Sequence, residues 1–209
     1  MGDDDLELEP DPAAGQTAAI DRIVFFSDAV FAIAMTLLVL PLVGGRTDLP
    51  VWEQIKNKVP ELYAFALSFW VIGLYWIGHH RVYRRVRAYD EGLMLLNLVE
   101  LFCVAFLPYP TALSGRYPDD VASTVFYAAS LSVLGLVTTV HVWYVVHHRR
   151  YANVDDRTAR RMITRSLSVP IVFIPTIPIA FLNVVVARSL WWAVFVIRFL
   201  FRGSVPRAD

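Results

Sequence analysis

Four polar side chains stand at the start of the first long apolar segment, and three of them, all but Asp21, are the first candidates for chemistry. Arg22, Ser27 and Asp28 lie within residues 20–42, a segment that is otherwise mostly apolar. An ionisable group inside a membrane crossing is costly unless it is paired or hydrated, and such groups line ion paths, relay protons or join helices. We therefore expect these three side chains to have partners on other segments.

Candidate partners stand in the next two apolar segments. His79 and His80 close the second segment, and Glu100 lies in the middle of the third. We interpret these residues as a structural network that joins the first segment to its neighbours, and histidine would make such a network sensitive to pH. Ion ligation, proton relay and simple exposure of these side chains are the alternatives. A lone buried carboxylate such as Glu100 more often bonds a neighbouring helix than carries protons.

Metal and redox chemistry have little support in the sequence. The histidine pairs His79-His80 and His147-His148 are adjacent, so the two rings of a pair point in different directions and lack the four-residue spacing that suits a metal on a helix. Cys103 is the single cysteine, which excludes a disulfide within the chain. We expect no metal site and no cofactor.

The elements that position these residues are apolar helices. The chain has 209 residues, 56% of them apolar, with a mean hydropathy of +0.50. A crossing needs roughly 20 apolar residues, and the sequence predicts six helices, over residues 20–42, 62–80, 93–113, 121–146, 167–187 and 189–202. We predict an all-α polytopic membrane protein that is not an enzyme, because no room remains for a soluble catalytic domain and no GxSxG or HExxH motif occurs.

Charge sets the predicted orientation. With the N-terminus inside, the inner loops and helix ends hold fourteen of the nineteen basic residues, as cytoplasmic segments do. Residues 1–18 form an acidic tail that we expect to be disordered and cytoplasmic, residues 19–203 a six-helix transmembrane domain, and residues 204–209 a short tail. Both termini are then cytoplasmic, and a nucleic-acid partner is not needed to explain the arginines.

Aromatic residues mark the predicted helix ends. Tyr109, Tyr117, Trp191 and Trp192 all stand near such ends. Because Tyr and Trp favour the membrane–water interface, we interpret all four as interfacial anchors.

The first helix carries an apolar stripe with spacings of four, three, four and three. The stripe consists of Phe26, Val30, Ile33, Leu37 and Leu40. On a helical wheel Asp28 falls roughly opposite to it, so its carboxylate should point into the subunit. The stripe could face a pore axis, but ordinary helix packing gives the same pattern.

The residues around the stripe form a specific motif. Arg22, Phe26, Ser27 and Asp28 read as R-x-x-x-F-S-D and continue into an apolar run that ends at Pro41, while residues 76–80 read W-I-G-H-H. Both stretches resemble the transmembrane protein 175 family, which comprises the endolysosomal potassium channel of animals and its prokaryotic relatives. The motif occurs once, so the resemblance implies the one-repeat prokaryotic branch, with six helices per subunit, a homotetramer around a central pore, and a place in the plasma membrane.

The same resemblance implies roles for individual residues. In that family the first helix lines the pore, and an isoleucine or leucine in the position of Ile33 forms the narrowest ring. Leu37 and Leu40 match further apolar rings, and Thr36 matches a threonine beside the narrowest ring that could supply a hydroxyl ligand. The family's pore face thus coincides with the stripe found from spacing alone.

A pore of this kind selects ions differently from a carbonyl filter. The chain has no TVGYG-like loop. At a ring of branched apolar side chains an ion must shed or deform its hydration shell, and K⁺, being less tightly hydrated than Na⁺, loses less. We therefore predict a leak-type K⁺ channel whose Ile33 ring acts as both filter and gate, with lipid, further copies of the chain and permeating K⁺ as its partners.

A proton-coupled secondary transporter is the alternative. It would use Asp28, Glu100 and the histidines as a proton relay. Such transporters usually show internal repeats with helices broken at matching positions, and the sequence shows neither. The channel is therefore the favoured hypothesis.

Overall fold

The described part of the chain is entirely helical. The fold comes from a computed structural model that describes residues 12–44, 48–148, 152 and 154–200. The α-helices are α1 (Pro12–Leu37), α2 (Val51–Asn57), α3 (Val59–Tyr83), α4 (Glu91–Phe106), α5 (Pro108–Arg116), α6 (Val121–His147), α7 (Asp156–Ser166), α8 (Ser168–Leu182), α9 (Val184–Leu190) and α10 (Ala193–Leu200). A short 3₁₀ turn, Leu40–Leu42, follows α1.

Helix α1 begins earlier than the sequence predicted. It starts at Pro12, eight residues before the expected start, because proline suits a first helical turn and the alanines that follow are strong helix formers. Residues 12–18 of the predicted tail are therefore helical. The rest of the predicted acidic tail, residues 1–11, lies outside the described residues. The predicted C-terminal tail also lies outside them, within residues 201–209.

Five helical stretches are long and apolar enough to cross a membrane. They are Gly15–Leu42, Val59–Tyr83, Glu91–Arg116, Val121–His147 and Asp156–Leu182. These stretches correspond to the first five predicted helices. Pro108 follows the break between α4 and α5, and Pro175 and Pro178 lie inside α8, where neighbouring helices can satisfy the freed carbonyls.

The last apolar segment differs from the predicted continuous helix over 189–202. The structure ends α8 at Leu182, five residues before its predicted end, because Asn183 has an extended backbone and its side chain accepts a hydrogen bond from the Val186 amide at 3.0 Å. Asn183 thus caps a new helix, as asparagine commonly does. The segment then consists of α9 and α10, separated by a turn at Trp191 and Trp192.

Trp191 corrects the interfacial interpretation of the aromatic residues. Its ring is only 1% exposed and packs on Tyr127 and Phe173, and its indole N–H donates to the Thr176 hydroxyl at 3.1 Å. Trp191 is therefore a core residue. The sequence placed Trp191 near a helix end at the membrane surface, whereas the structure places it in the turn between α9 and α10, packed against α6 and α8.

The core lies in two layers along the bundle. The larger cluster packs α1, α3, α4, α6, α8 and the α9–α10 segment around residues such as Tyr75, Leu131 and Phe173. The smaller cluster surrounds Ile20, near the beginning of α1, and includes Val82 and Val145. Helix α6 contributes to both layers, so the polar side chains on α1, α3, α4 and α6 are held within one packed bundle.

Candidate functional site

One face of α1 stays uncovered within the chain. Ile33 is 58% exposed and Leu40 59%, while Phe31 and Leu38 on the opposite face are each 1% exposed. The buried face carries the contacts of α1 with α3 and α4. In a membrane the exposed apolar face can contact lipid or other copies of the chain.

The exposed face is rotated slightly from the predicted stripe. Phe26 and Leu37 are exposed as expected, but Val30 is half-buried against the core. Ala29 and Ala32 are exposed instead. Small residues on a membrane helix allow the close approach of another helix. The uncovered face therefore combines bulky apolar and small residues.

Thr36 lies on this face beside Ile33. Its side chain is exposed, and its hydroxyl donates to the Ile33 carbonyl at 2.8 Å. Because the hydroxyl hydrogen is used in this bond, the oxygen lone pairs remain available as acceptors. Thr36 can thus offer an oxygen ligand to a cation on the exposed face.

Asp28 is bound to α3 through a tryptophan. Its Oδ1 accepts a hydrogen bond from the Trp76 indole N–H at 2.8 Å, and His80 stacks on the Trp76 ring with centroids 6.1 Å apart. From the sequence, a histidine was the expected direct partner of Asp28. Trp76 is part of the W-I-G-H-H motif. Its indole N–H must find an acceptor in a membrane, and this need could have identified Trp76 as the partner of Asp28.

Ser27 and His79 are connected through a residue that the sequence analysis missed. Asn97 on α4 donates from Nδ2 to Ser27 Oγ at 3.1 Å, and its Oδ1 lies 2.8 Å from His79 Nε2. All three side chains are at least 97% buried. Asn97 lies three residues before Glu100 and therefore on the same face of α4. This spacing could have identified Asn97 from the sequence. Asn97 thus joins α1, α3 and α4.

Glu100 takes its partners from α6. The His141 Nδ1–H donates to Glu100 Oε2 at 2.6 Å, and the Thr138 hydroxyl donates to Oε1 at 2.9 Å. Glu100 is 1% exposed, and a buried carboxylate is tolerated only when a cation and hydrogen bonds compensate it. His141 supplies that charge when protonated. The sequence predicted that Glu100 helps to join α1 to its neighbours, but Arg22 is exposed and the carboxylate faces α6 instead.

No site in the described part of the chain gathers metal ligands. No group of three or more His, Cys, Asp or Glu side chains there could hold a metal ion. His147 Nδ1 lies 3.1 Å from the Trp143 carbonyl, and His148 Nδ1 lies 3.0 Å from the Tyr144 carbonyl, each one turn earlier on the same helix.

The candidate site thus consists of the exposed face of α1 and the buried polar network behind it.

Comparison with known proteins identifies relatives of this chain. A family profile described as "Endosomal/lysosomal potassium channel TMEM175" matches residues 22–108. A protein from Streptomyces collinus named as a potassium channel is 35% identical over 174 residues, which cover 78% of this chain and 82% of that protein. The human endosomal/lysosomal proton channel TMEM175 is 27% identical over 150 residues, which cover 69% of this chain but only 29% of the human protein.

The fold also matches a solved structure. A crystal structure of a lysosomal potassium-selective channel TMEM175 homologue from Chamaesiphon minutus superposes with a TM-score of 0.78 at 25% identity. The match covers 90% of this chain and all of that one. The helical bundle described above is therefore similar to a channel subunit over nearly its whole length.

Proposed function

Since the chain belongs to the TMEM175 family as a prokaryotic member, we propose that it is a leak-type, potassium-selective channel of the plasma membrane. The relatives named as potassium channels support the choice of ion. The observation that carries the proposal is the uncovered apolar face of α1, which holds Ile33, Thr36, Leu37 and Leu40.

The pore is enclosed by several copies of α1. A single helix cannot surround a hole, so the exposed face must meet the same face of other subunits. Four copies, as the family resemblance implies, place Ile33 and Leu40 in rings around one axis, and Ala29 and Ala32 let the helices come close. In this assembly, the part of the Ile33 side chain that a single chain leaves exposed faces the ion path.

The Ile33 ring is the filter and the gate. Branched apolar side chains offer no ligand, so an ion passes only with a deformed hydration shell, and K⁺ gives up its water more easily than Na⁺. A narrow apolar ring also closes by losing its water. The Thr36 oxygen lies one turn from the ring and returns part of the lost hydration.

The α9–α10 segment is the sixth crossing, made of two helical pieces. It runs antiparallel to α8: Trp191 bonds Thr176 in the middle of α8, and the Arg198 guanidinium donates from Nε to Ser168 Oγ at 3.0 Å at the start of α8. A segment that returns along the whole of α8 ends on the side where α8 began. With six crossings and a basic inner side, both termini lie in the cytoplasm.

A bilayer recording tests the channel function directly. The purified protein in a planar bilayer under a K⁺ gradient should show a passive current that reverses near the K⁺ equilibrium potential. Replacement of K⁺ by Na⁺ on one side should shift the reversal potential in the direction of K⁺ preference. A current that does not distinguish the two ions would contradict the proposed filter.

A proton-coupled transporter remains the second candidate, and the buried Glu100–His141 pair is the observation that favours it. A transporter needs a group that binds a proton inside the membrane, and this pair could serve. In that case no passive K⁺ current would flow, and a proton gradient would drive solute uptake that Glu100→Gln abolishes. The recording described above separates the two functions.

A further inference from the structure

A half-buried arginine without an acidic partner lies near the proposed cytoplasmic end of the bundle. Arg198 on α10 donates from Nε to Ser168 Oγ and from Nη1 to the Leu74 carbonyl, each at 3.0 Å. These acceptors satisfy hydrogen bonds but carry no net charge. No carboxylate in the described part of the chain forms an ion pair with Arg198. A charge inside a membrane crossing is costly unless it is compensated, so this guanidinium needs an anion.

Two more guanidinium groups lie close enough to Arg198 to repel it. They belong to Arg81, in the last turn of α3, and Arg165, in the last turn of α7. Three arginines from three different helices therefore meet at one end of the bundle. Like charges raise one another's cost, and an anion placed among them lowers the cost for all three.

The Arg198 guanidinium has donors left for such an anion. A guanidinium carries five N–H groups, and the bonds to Ser168 and Leu74 use two of them. Its Nη2 donates to no acceptor in the part of the chain that the structure describes. Because the planar guanidinium matches the spacing of phosphate oxygens, arginine is well suited to bind a phosphate group.

An apolar stripe on α3 leads to these arginines. Trp70, Leu74, Ile77 and Arg81 recur with spacings of four, three and four, so they share one face of the helix. Trp70 is 61% exposed and Ile77 37%, and Arg81 is exposed at the end of the stripe. The stripe thus offers apolar surface at the depth of lipid chains and a cation at the depth of lipid head groups. This arrangement fits a phospholipid better than a free anion.

Helix α7 adds positive charge beside the three arginines. Its Arg160 and Arg161 are exposed, while Met162 and Ile163 pack against the smaller core cluster. A helix with an apolar face and an arginine-rich face is typical of the membrane surface. Basic residues at that surface attract anionic lipids by about 1 kcal/mol each.

We propose that Arg81, Arg165 and Arg198 bind the phosphate group of an anionic phospholipid in the cytoplasmic leaflet, with an acyl chain along the α3 stripe. Arg198 donates to a phosphate oxygen from Nη2, and the other two arginines complete the positive site. The bound lipid then joins α3, α7 and α10 at the end of the bundle. This site does not depend on which ion or solute the protein carries.

Native mass spectrometry of the wild-type protein tests the site without any substitution that could disturb folding. The detergent-solubilised protein is titrated with phosphatidylglycerol, which has a net negative charge, or with phosphatidylcholine, which has none. The first phosphatidylglycerol on each chain should bind at least about tenfold more tightly than phosphatidylcholine, because three arginines attract its charge. Equal binding of the two lipids would overturn the proposal. Displacement of phosphatidylglycerol by an equal concentration of inorganic phosphate would also overturn it, because the occupant would then be a free anion.

Variants locate the lipid on the chain. Arg198→Gln and Arg81→Gln should each weaken phosphatidylglycerol binding about fivefold, the effect of losing about 1 kcal/mol. Arg157→Gln is the matched control, because it removes the same charge from an exposed position eight residues before Arg165, about 12 Å along α7. It should keep the wild-type affinity within about twofold.

The outcomes separate this site from its alternatives. Wild-type affinity in both Arg198→Gln and Arg81→Gln, or an equal loss in Arg157→Gln, would refute the proposed site. If Arg198→Gln does not fold, Arg81→Gln decides, because Arg81 is exposed. Loss of the oligomer in Arg81→Gln with unchanged lipid binding would assign the arginines to a contact between copies of the chain instead. Absence of any K⁺ current would refute the channel function and leave the lipid result unaffected.

Discussion

At the scale of single residues, the candidate filter depends on the side chain of Ile33. Its position on the uncovered face of α1 makes it available to a pore axis, and Thr36 binds its carbonyl. If an apolar ring selects by the cost of stripping water, then a polar side chain in the ring should reduce that cost for Na⁺ as well as for K⁺. Selectivity is thus the property that a change at this residue should alter first.

We predict that Ile33→Asn moves the K⁺ over Na⁺ permeability ratio towards one. A loss of about 1 kcal/mol in discrimination lowers the ratio about fivefold. Reversal potentials with K⁺ on one side and Na⁺ on the other measure it. Ile33→Val is the matched control, because it keeps a branched apolar side chain and should keep the preference for K⁺. An unchanged ratio in Ile33→Asn would move the filter away from this ring.

Residue types were easier to predict than residue partners. Asp28 and Ser27 were recognised as polar groups that need partners, because a charge or hydroxyl in an apolar crossing must be satisfied. Their partners Trp76 and Asn97 come from helices that only folding brings near, at sequence distances of 48 and 70 residues. No spacing rule within one helix reaches across such separations. His141, the partner of Glu100, stayed unrecognised for the same reason.

At the scale of elements, one glycine decides how α6 meets α8. A Cβ placed on Gly135 would overlap Pro170 Cδ and lie 2.9 Å from Tyr75 Oη. Such contacts are far inside van der Waals distance, and a proline ring cannot turn away as a flexible side chain can. The close packing of α6 on α8 therefore requires glycine at this position.

We predict that Gly135→Ala destabilises the bundle by about 1–3 kcal/mol, the usual cost of overpacking a core. The loss of stability should appear as a lower temperature of thermal unfolding in detergent. Gel filtration of the heated samples follows the unfolding. Gly78→Ala is the control, because its Cβ would meet no atom within 4 Å and alanine favours a helix more than glycine does. Equal stability of the two variants would show that α6 and α8 are not so closely packed.

The sixth crossing makes a second prediction at this scale. Alkaline phosphatase is active only outside the cytoplasm, so its fusion after Asn183 should be active and its fusion after Asp209 inactive. Green fluorescent protein should give the opposite pattern. The reason is that α9 and α10 return along α8 from Asn183 to Arg198. An active phosphatase at both positions would show that the chain crosses only five times.

At the scale of the whole molecule, the proposed pore requires more than one copy of α1. An ion path bounded by α1 on only one side would be open to lipid, so the proposed function implies a closed ring of subunits. Closed rings with rotational symmetry are the usual form of such assemblies. The family resemblance implies four copies, and in the proposed pore each copy of this chain supplies one α1.

We predict that native mass spectrometry of the detergent-solubilised protein gives a mass four times that of the 23.7 kDa chain. Dilution in detergent should not release monomers before the bundle itself unfolds, because the exposed face of α1 would then lose its apolar contacts. A monomer or dimer as the largest species would contradict the tetrameric pore.

The sequence by itself determined the class of protein, five stretches long and apolar enough to cross a membrane, and the helix face that is proposed to meet the ion. Length, apolar content and helical spacing are local properties, so they can be read without knowing what each helix touches. The tertiary structure decided what satisfies the buried polar groups, that Trp191 is a core residue and that Arg198 lies near arginines of two other helices. Those features are contacts between helices far apart in the chain, and only the packing of the bundle specifies which side chains meet.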